Sequence, residues 1–286
     1  MRIALPILLL ASAASGAEIL APASFAYDTK APLDLRDEAP AQKQGDVTVR
    51  DVSFAAATVG ERTRAFLVVP KNADKRSAVL WVHWLGEPKT TNRTEFLDDA
   101  VELARTGTIS LLVDAQWSMP HWFKTRTTDG DYDASIRQVK DLRRALDVLL
   151  AEPGIDAARV GFVGHDFGGM YGSLLAAVDP RAKFYVIMAV TTKLSDWFLL
   201  GAPPKSKPDY VAKMAPLEPT LYLARARAGF LFQFAKNDEY VTKAHADEYV
   251  AAAQGDKQAV FYDADHGLDV PAAHRDRLTW LRAKLH

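Results

Sequence analysis

A glycine-rich run around one aspartate constrains the fold of this chain more than any other feature: Gly164-His165-Asp166-Phe167-Gly168-Gly169. The residues before it, 159–163, predict a short buried strand, and residues 168–178 predict a helix of small residues. A strand that turns so sharply into a helix strains the residue at the apex and leaves no room for side chains where the two elements approach. The sequence therefore predicts a strand–turn–helix unit that presents the Asp166 carboxylate at its apex.

Strand and helix patterns alternate along the chain after residue 46. Residues 47–54 and 64–70 alternate apolar and polar side chains, which is typical of half-exposed antiparallel strands. Residues 78–82 and 109–113 are continuous apolar runs, which suit strands covered on both faces. Further strands are expected at 184–188, 229–234 and 259–262, and helices at 95–106 and 135–151. This alternation predicts an α/β fold in which helices flank a mostly parallel central sheet with N-terminal antiparallel strands.

Length, charge and residue usage exclude several classes of protein. A chain of 286 residues, 49% of them apolar, can bury the core of one large domain. The formal net charge is −1 and the basic residues are scattered, which argues against nucleic acid or an acidic membrane surface as a partner. The absence of cysteine excludes disulfides and thiolate chemistry. Because no phosphate loop, dinucleotide motif or metal-type histidine spacing occurs, we expect a small-molecule substrate, no cofactor and no metal.

The first residues are typical of a cleavable signal peptide. Arg2 supplies a positive start, residues 3–10 form an apolar run too short to span a bilayer, and residues 11–17 are mostly small, as a signal peptidase requires. Cleavage after Ala17 would leave a periplasmic or secreted protein with no remaining membrane segment. The mature chain is then expected to consist of an extended arm, residues 18–45, and one α/β domain, residues 46–286. Residues 189–226 of this domain are expected to form a short lid.

Polar residues follow three of the predicted strands, at the sheet edge where open α/β sheets bind ligands. Asp166 ends the strand before the glycine turn, Asp238 follows the strand at 229–234, and His266 follows the last strand. A nucleophile, an acid and a histidine occur in this order in the catalytic triad of the α/β-hydrolases. We therefore interpret Asp166 as the nucleophile, His266 as the general base and Asp238 as the carboxylate that orients His266.

Two backbone N–H groups and four tryptophans complete the candidate site. The residue after the nucleophile is expected to provide one oxyanion donor, the N–H of Phe167. The turn after the strand at 78–82 is expected to provide the other, from the N–H of either Trp84 or Leu85, of which we name Leu85. The candidate substrate-binding residues are aromatic: Trp84, Trp117, Trp122 and Trp197.

From about Val47 to the C-terminus the chain resembles the α/β-hydrolase superfamily, and its turn at residues 164–169 resembles those of epoxide hydrolases and of haloalkane or haloacid dehalogenases. That resemblance implies a covalent role for Asp166. A carboxylate attacking an acyl carbon gives a mixed anhydride, whereas attack on an sp³ carbon bearing a halide or a strained oxygen gives an alkyl ester. Water activated by His266 can cleave such an ester. The leading hypothesis is a hydrolase of small epoxides or organohalides.

Other segments resemble a different branch of the same superfamily. Residues 160–165, 237–241 and 263–267 are similar to those of dienelactone hydrolases, acetyl xylan esterases and prolyl-oligopeptidase-like enzymes. Members of these families with serine or cysteine at the position of Asp166 cleave esters, lactones or peptides. The second hypothesis is therefore an ester or lactone hydrolase that uses Asp166 as a general base on water. The third hypothesis is a relative that binds a small molecule without catalysis.

Overall fold

The structure of the protein, a computed structural model, describes residues 18–71, 76–87 and 89–286. The signal peptide predicted over residues 1–17 lies outside the described residues. Within the described part, no helix has both the length and the apolar surface that crossing a membrane would require.

One mixed β-sheet forms the centre of the fold. Its strands within the described residues are β1 Arg36–Asp37, β2 Gln42–Gln44, β3 Val47–Ala55, β4 Arg62–Pro70, β5 Arg76–Val82, β6 Thr108–Val113, β7 Ile155–His165, β8 Phe184–Met188, β9 Gly229–Ala235 and β10 Lys257–Tyr262. Their spatial order is β1-β3-β4-β6-β5-β7-β8-β9-β10, with β2 also paired to β3. The strands from β6 to β10 in this order are parallel, and β1 to β4 join antiparallel. This arrangement confirms the predicted fold class.

Helices cover both faces of this sheet. They are α1 Leu97–Ala104, α2 Trp122–Thr125, α3 Asp131–Leu150, α4 Phe167–Val178, α5 Leu194–Phe198, α6 Lys207–Met214, α7 Pro219–Leu223, α8 Lys243–Ala252 and α9 Pro271–Leu285, with 3₁₀ turns at Pro22–Phe25, Gln116–Ser118 and Ala215–Leu217. Successive residues of β5 enter opposite cores: Leu80 packs in the core shared with α3 and α4, and Trp81 in the core shared with α1 and α9. Burial on both faces explains the continuous apolar run of this strand.

Several segments differ in detail from the sequence expectations. Helix α3 begins at Asp131, ahead of the start expected at residue 135. The arm at residues 18–45 contains a 3₁₀ turn and the short strands β1 and β2, both paired with β3. All residues of β1 and β2 are exposed, so no alternation of apolar and polar side chains marks them in the sequence. Between β8 and β9, the expected lid holds α5, α6 and α7.

Candidate active site

Strand β7 passes into α4 through a sharp turn centred on Asp166. The backbone of Asp166 has φ 53° and ψ −120°, a region that L-residues rarely adopt. A Cβ atom at Gly168 would collide with the carbonyl oxygen of Val82, and one at Gly164 would collide with the backbone of Gly168. Both glycines are therefore required by the close approach of β5, β7 and α4. The turn holds the Asp166 side chain at the carboxyl edge of the sheet.

Asp238 and His266 form a hydrogen-bonded pair at the same edge. Asp238 follows β9 and His266 follows β10, and Nδ1 of His266 lies 2.8 Å from Oδ2 of Asp238. The other oxygen of Asp238 accepts the backbone N–H groups of Tyr240 and Val241, each at 2.8 Å. Burial raises the pKa of Asp238, but the hydrogen bond and charge of His266 and these two N–H groups outweigh it, so the pKa lies below its ordinary value. Asp238 is therefore ionised at neutral pH.

The ionised Asp238 fixes the tautomer of His266. A carboxylate only accepts hydrogen bonds, so Nδ1 of His266 carries the proton that points at Asp238. In neutral His266 this leaves the lone pair on Nε2, where it can accept a proton from water or from a substrate. The pair thus has the geometry of a general base with its orienting carboxylate.

The two oxygens of Asp166 lie in different environments. Oδ2 accepts the backbone N–H of Leu85 at 3.0 Å. Oδ1 is buried and has no hydrogen-bond partner among the described residues. One oxygen is therefore held by the turn after β5, at a donor predicted for the oxyanion hole, and the other is left unpaired.

Burial is the main cause that raises the pKa of Asp166, to about 7. The charge of Glu95 also raises it, whereas the charge of His266 and the N–H groups of Leu85 and Phe167 act in the opposite direction. A carboxyl group with a pKa near neutrality changes its charge in the pH range where general acids and bases work best. The site therefore contains a carboxylate that can gain and lose a proton under mild conditions.

Aromatic rings enclose His266. The ring centroids of Tyr240 and Trp197 lie 5.1 Å and 5.3 Å from that of the imidazole, and the centroid of Trp84 lies 6.2 Å away. Trp197 is buried, and its indole N–H has no hydrogen-bond partner in the described part of the chain. Two of the four predicted tryptophans thus surround the candidate base.

The other two tryptophans pack near Phe167 instead. Trp122 contacts the ring of Phe167 at a centroid distance of 5.8 Å and stays partly exposed. Trp117 is buried, and its indole N–H donates to the carbonyl oxygens of His83 and Trp84 at 3.2 Å and 3.1 Å. Because these bonds use the only hydrogen-bond donor of the Trp117 side chain, Trp117 stabilises the turn after β5.

Sequence reasoning missed two polar residues of the candidate site, Glu95 and His165. Oε1 of Glu95 lies 2.6 Å from Nδ1 of His165, and Oε2 of Glu95 accepts the backbone N–H of Trp84 at 2.7 Å. In the sequence His165 was marked only as part of the glycine-rich run at residues 164–169. Glu95 was expected only to begin a helix, whereas α1 starts at Leu97 and leaves Glu95 in the preceding turn. No local pattern relates these two residues, since 70 positions separate them.

The described residues contain no group of three or more histidine, cysteine, aspartate or glutamate side chains that could hold a metal ion. Two surface cavities, of about 610 and 410 Å³, lie away from the triad. The larger one is lined by residues at the amino ends of β8 and β9, including Lys183 and Gly229. The smaller one lies between α1 and α9.

Comparison with known proteins identifies the fold. No protein-family model matches the sequence, and no curated protein matches it by sequence comparison. Among solved structures, the chain is similar to an acetyl xylan esterase from a Thermoanaerobacterium species, with a TM-score of 0.72, 16% identity and 89% of each chain covered. It is also similar to an acetyl xylan esterase from a Paenibacillus species, with a TM-score of 0.73, 17% identity and coverage of 89% of this chain and 90% of that one.

A third similar structure is a Klebsiella pneumoniae protein named as a dienelactone hydrolase, with a TM-score of 0.60, 18% identity and coverage of 82% of this chain and 96% of that one. At these identities the likeness establishes the fold alone. The chain has the α/β-hydrolase fold, as its sequence resemblance implied, and the solved structures named here are hydrolases.

Proposed function

We propose that the protein is a hydrolase that acts on a small substrate with Asp166, His266 and Asp238. The observation that carries this proposal is the 2.8 Å contact between His266 and Asp238, beside an aspartate held at the apex of the turn after β7. A protein that only binds its ligand has no need of an oriented imidazole next to a carboxylate whose pKa is about 7.

Hydrolysis of an ester or lactone is the reaction that the structural neighbours favour. The solved structures of similar fold are named as acetyl xylan esterases and a dienelactone hydrolase. The lid supports the same choice, because residues 189–226 hold only three short helices, without the substantial helical cap expected of epoxide hydrolases and dehalogenases.

In this reaction Asp166 acts as the general base. A water molecule hydrogen-bonded to Oδ1 of Asp166 gives its proton to that oxygen as it attacks the acyl carbon. Protonated His266, stabilised by Asp238, gives a proton from Nε2 to the departing alcohol oxygen. The proton then passes from Asp166 to His266, which restores both groups. For the N–H of Leu85 to stabilise the acyl oxygen, this oxygen has to displace Oδ2 of Asp166.

Alkyl transfer to Asp166 is the second candidate, and the same contact with Leu85 favours it. With Oδ2 held at 3.0 Å by that N–H, the unpaired Oδ1 is the oxygen left to attack an sp³ carbon, once the substrate has displaced the side chains that bury it. As the alkyl ester forms, the carbon–halogen bond breaks and releases halide, or the strained C–O bond breaks and its oxygen takes a proton from solvent. Water then adds to the ester carbonyl, whose oxygen already lies at the Leu85 N–H, and gives its proton to neutral His266. When the intermediate collapses, His266 passes this proton to the departing alcohol oxygen, which leaves the product alcohol and restores Asp166.

Trapping with the His266→Gln variant separates the two reactions. The variant and the wild type are incubated with nitrophenyl acetate, a small lactone, styrene oxide and a bromoalkane, and intact mass is recorded. In the alkyl reaction the variant still attacks but cannot hydrolyse the ester, so a mass increase localised to Asp166 accumulates. In the ester reaction turnover falls and no adduct forms. The Asp166→Asn variant is the control that accumulates nothing in either case.

Oxygen labelling gives an independent answer with the wild-type protein. After a single turnover in heavy-oxygen water, general-base hydrolysis places the label in the product. Alkyl transfer places it in the Asp166 carboxylate, because water attacks the carbonyl carbon of the enzyme ester. Absence of turnover with every substrate class, together with ligand binding unchanged in His266→Ala, would contradict both reactions and favour a non-catalytic relative.

A further inference from the structure

We propose that Glu95 and His165 form a positioning pair that joins the turn after β5 to the loop of His266 beneath the triad. The inference rests on the proposed function, because it assigns these residues a part in the same site. Neither is expected to contact the substrate.

A continuous chain of hydrogen bonds carries the proposal. The backbone N–H of Trp84 donates to Oε2 of Glu95 at 2.7 Å, and Oε1 of Glu95 lies 2.6 Å from Nδ1 of His165. Nε2 of His165 in turn donates to the backbone carbonyl oxygen of His266 at 3.0 Å. Three separate strand ends, those of β5, β7 and β10, are thus connected through two side chains.

Each end of this chain lies at or next to a residue of the candidate site. Trp84 precedes Leu85, whose N–H holds Asp166. His165 directly precedes Asp166 in the turn, and the carbonyl group at the far end belongs to His266 itself. A shift in either contact would therefore move the oxyanion donor or the base relative to Asp166.

The surroundings make this arrangement rigid. His165 is fully buried, and the Glu95 side chain is 12% exposed. The indole of Trp84 stacks on the imidazole of His165 at a centroid distance of 5.0 Å with an interplanar angle of 5°. Two further hydrogen bonds hold Trp84: its indole N–H donates to the hydroxyl of Thr90, and its carbonyl oxygen accepts from the hydroxyl of Thr91.

The partners of the pair fix its number of protons. A carbonyl oxygen only accepts, so Nε2 of His165 must carry a proton toward His266. A second proton lies between Nδ1 of His165 and Oε1 of Glu95, on either atom, since two bare acceptors would repel each other at 2.6 Å. The pair is consequently neutral overall in both forms. We assign its main function to geometry, although the carboxylate of Glu95 also adds to the raised pKa of Asp166.

Substitutions at Glu95 distinguish geometry from charge. In Glu95→Gln the amide oxygen can still accept the N–H of Trp84, and the amide nitrogen can donate to Nδ1 of His165. In Glu95→Asp the charge remains, but the shorter side chain cannot reach both partners. We expect the glutamine variant to keep most of kcat and the aspartate variant to lose about 100-fold in kcat with little change in KM. A role of the Glu95 charge predicts the opposite order.

The hydrogen-bonded imidazole protons give a readout that needs no substrate. In proton NMR spectra, the Nδ1 proton that joins His266 to Asp238 is assigned by its loss in His266→Gln. We expect this signal to be unchanged in Glu95→Gln and displaced or lost in Glu95→Asp. Melting temperatures of the same variants show whether each one is folded.

The outcomes separate this inference from the proposed function. If the wild type hydrolyses none of the substrates, the proposed function fails, while the NMR comparison still decides the positioning role. The inference is overturned if folded Glu95→Asp keeps both the wild-type kcat and the His266 signal. It is equally overturned if Glu95→Gln is damaged as much as Glu95→Asp.

Discussion

The backbone N–H of Leu85 donates a 3.0 Å hydrogen bond to Oδ2 of Asp166. A donor in this position would stabilise the developing oxyanion in a serine hydrolase of the same fold. In the free protein this donor is occupied by the carboxylate of the site itself. A side chain with a single oxygen at position 166 would leave it unoccupied, beside an intact His266–Asp238 pair.

The Asp166→Ser substitution is therefore expected to create a site that reacts with organophosphonate reagents specific for activated serine. His266 would take the hydroxyl proton, and the N–H groups of Leu85 and Phe167 would stabilise the phosphonyl oxygen. Intact mass should show one added phosphonyl group per chain. The Asp166→Ala variant, treated identically, is the control that should remain unlabelled. A folded serine variant that stays unlabelled would show that these groups do not form an oxyanion hole and a base.

Asp238→Asn is expected to reduce kcat by about 10³-fold or more. An amide can donate a hydrogen bond to Nδ1 of His266, which favours the wrong tautomer and places the proton on Nε2. The charge that stabilises protonated His266 is lost as well. Steady-state kinetics measure the effect, and Asp263→Asn, which changes an exposed carboxylate bonded to Asn237, is the matched control. Equal activity of the two variants would exclude Asp238 from the triad.

The pH dependence of the rate should follow the ionisation of Asp166. Both candidate reactions require the carboxylate form of Asp166, whose pKa burial raises to about 7. We expect kcat/KM to fall about tenfold per pH unit on the acid side of pH 7. A pH–rate profile tests this directly. An acid limb confined to pH values near 4 would mean that Asp166 is solvated like an ordinary aspartate when the site is working.

Folding stability should reveal the same raised pKa without any substrate. An acid whose pKa is about 7 in the folded state and about 4 in the unfolded state binds more protons when folded, so its contribution to stability falls as the pH rises through this window. We expect the wild type to lose about 3 kcal/mol more than Asp166→Asn between pH 5 and pH 8, measured by urea unfolding.

Another buried acid does not disturb that comparison. Asp141, whose pKa burial raises to about 6, titrates in both proteins and cancels in the difference. Parallel stability curves for wild type and Asp166→Asn would contradict the raised pKa of Asp166.

The sheet and the turn were predictable because their causes are local in sequence. Apolar runs such as residues 78–82 and 184–188 follow from burial on both faces, and Gly164 and Gly168 follow from the close approach of backbone segments. Asp166, Asp238 and His266 each follow a strand of the parallel part of the sheet. This placement predicted that they meet at one edge, because parallel strands end together there.

Contacts that depend on three-dimensional spacing had no such signal. Glu95 contacts His165 across the end of β5, and the sequence around each residue does not indicate that the two are partners. The sequence likewise did not indicate which tryptophans lie beside His266. Trp117 and Trp197 have similar neighbours, because both follow polar or small residues in loops and short helices. Their different roles arise from packing: Trp117 donates its N–H to backbone carbonyls, whereas Trp197 covers His266.

Trp197→Phe is expected to weaken substrate binding at only a modest cost in stability. The indole N–H of Trp197 is buried with no partner among the described residues, so the variant keeps an aromatic ring and loses no hydrogen bond in the free protein. Since the ring lies 5.3 Å from that of His266, we expect this N–H to donate to a substrate oxygen or leaving group. KM should rise about tenfold, whereas the small cavity left by the phenyl ring should lower the melting temperature by only a few degrees. Trp280→Phe, at a partly buried ring of α9 that contacts Phe184 at the amino end of β8, is the matched control. Equal KM values for the two variants would exclude a binding role for the Trp197 N–H.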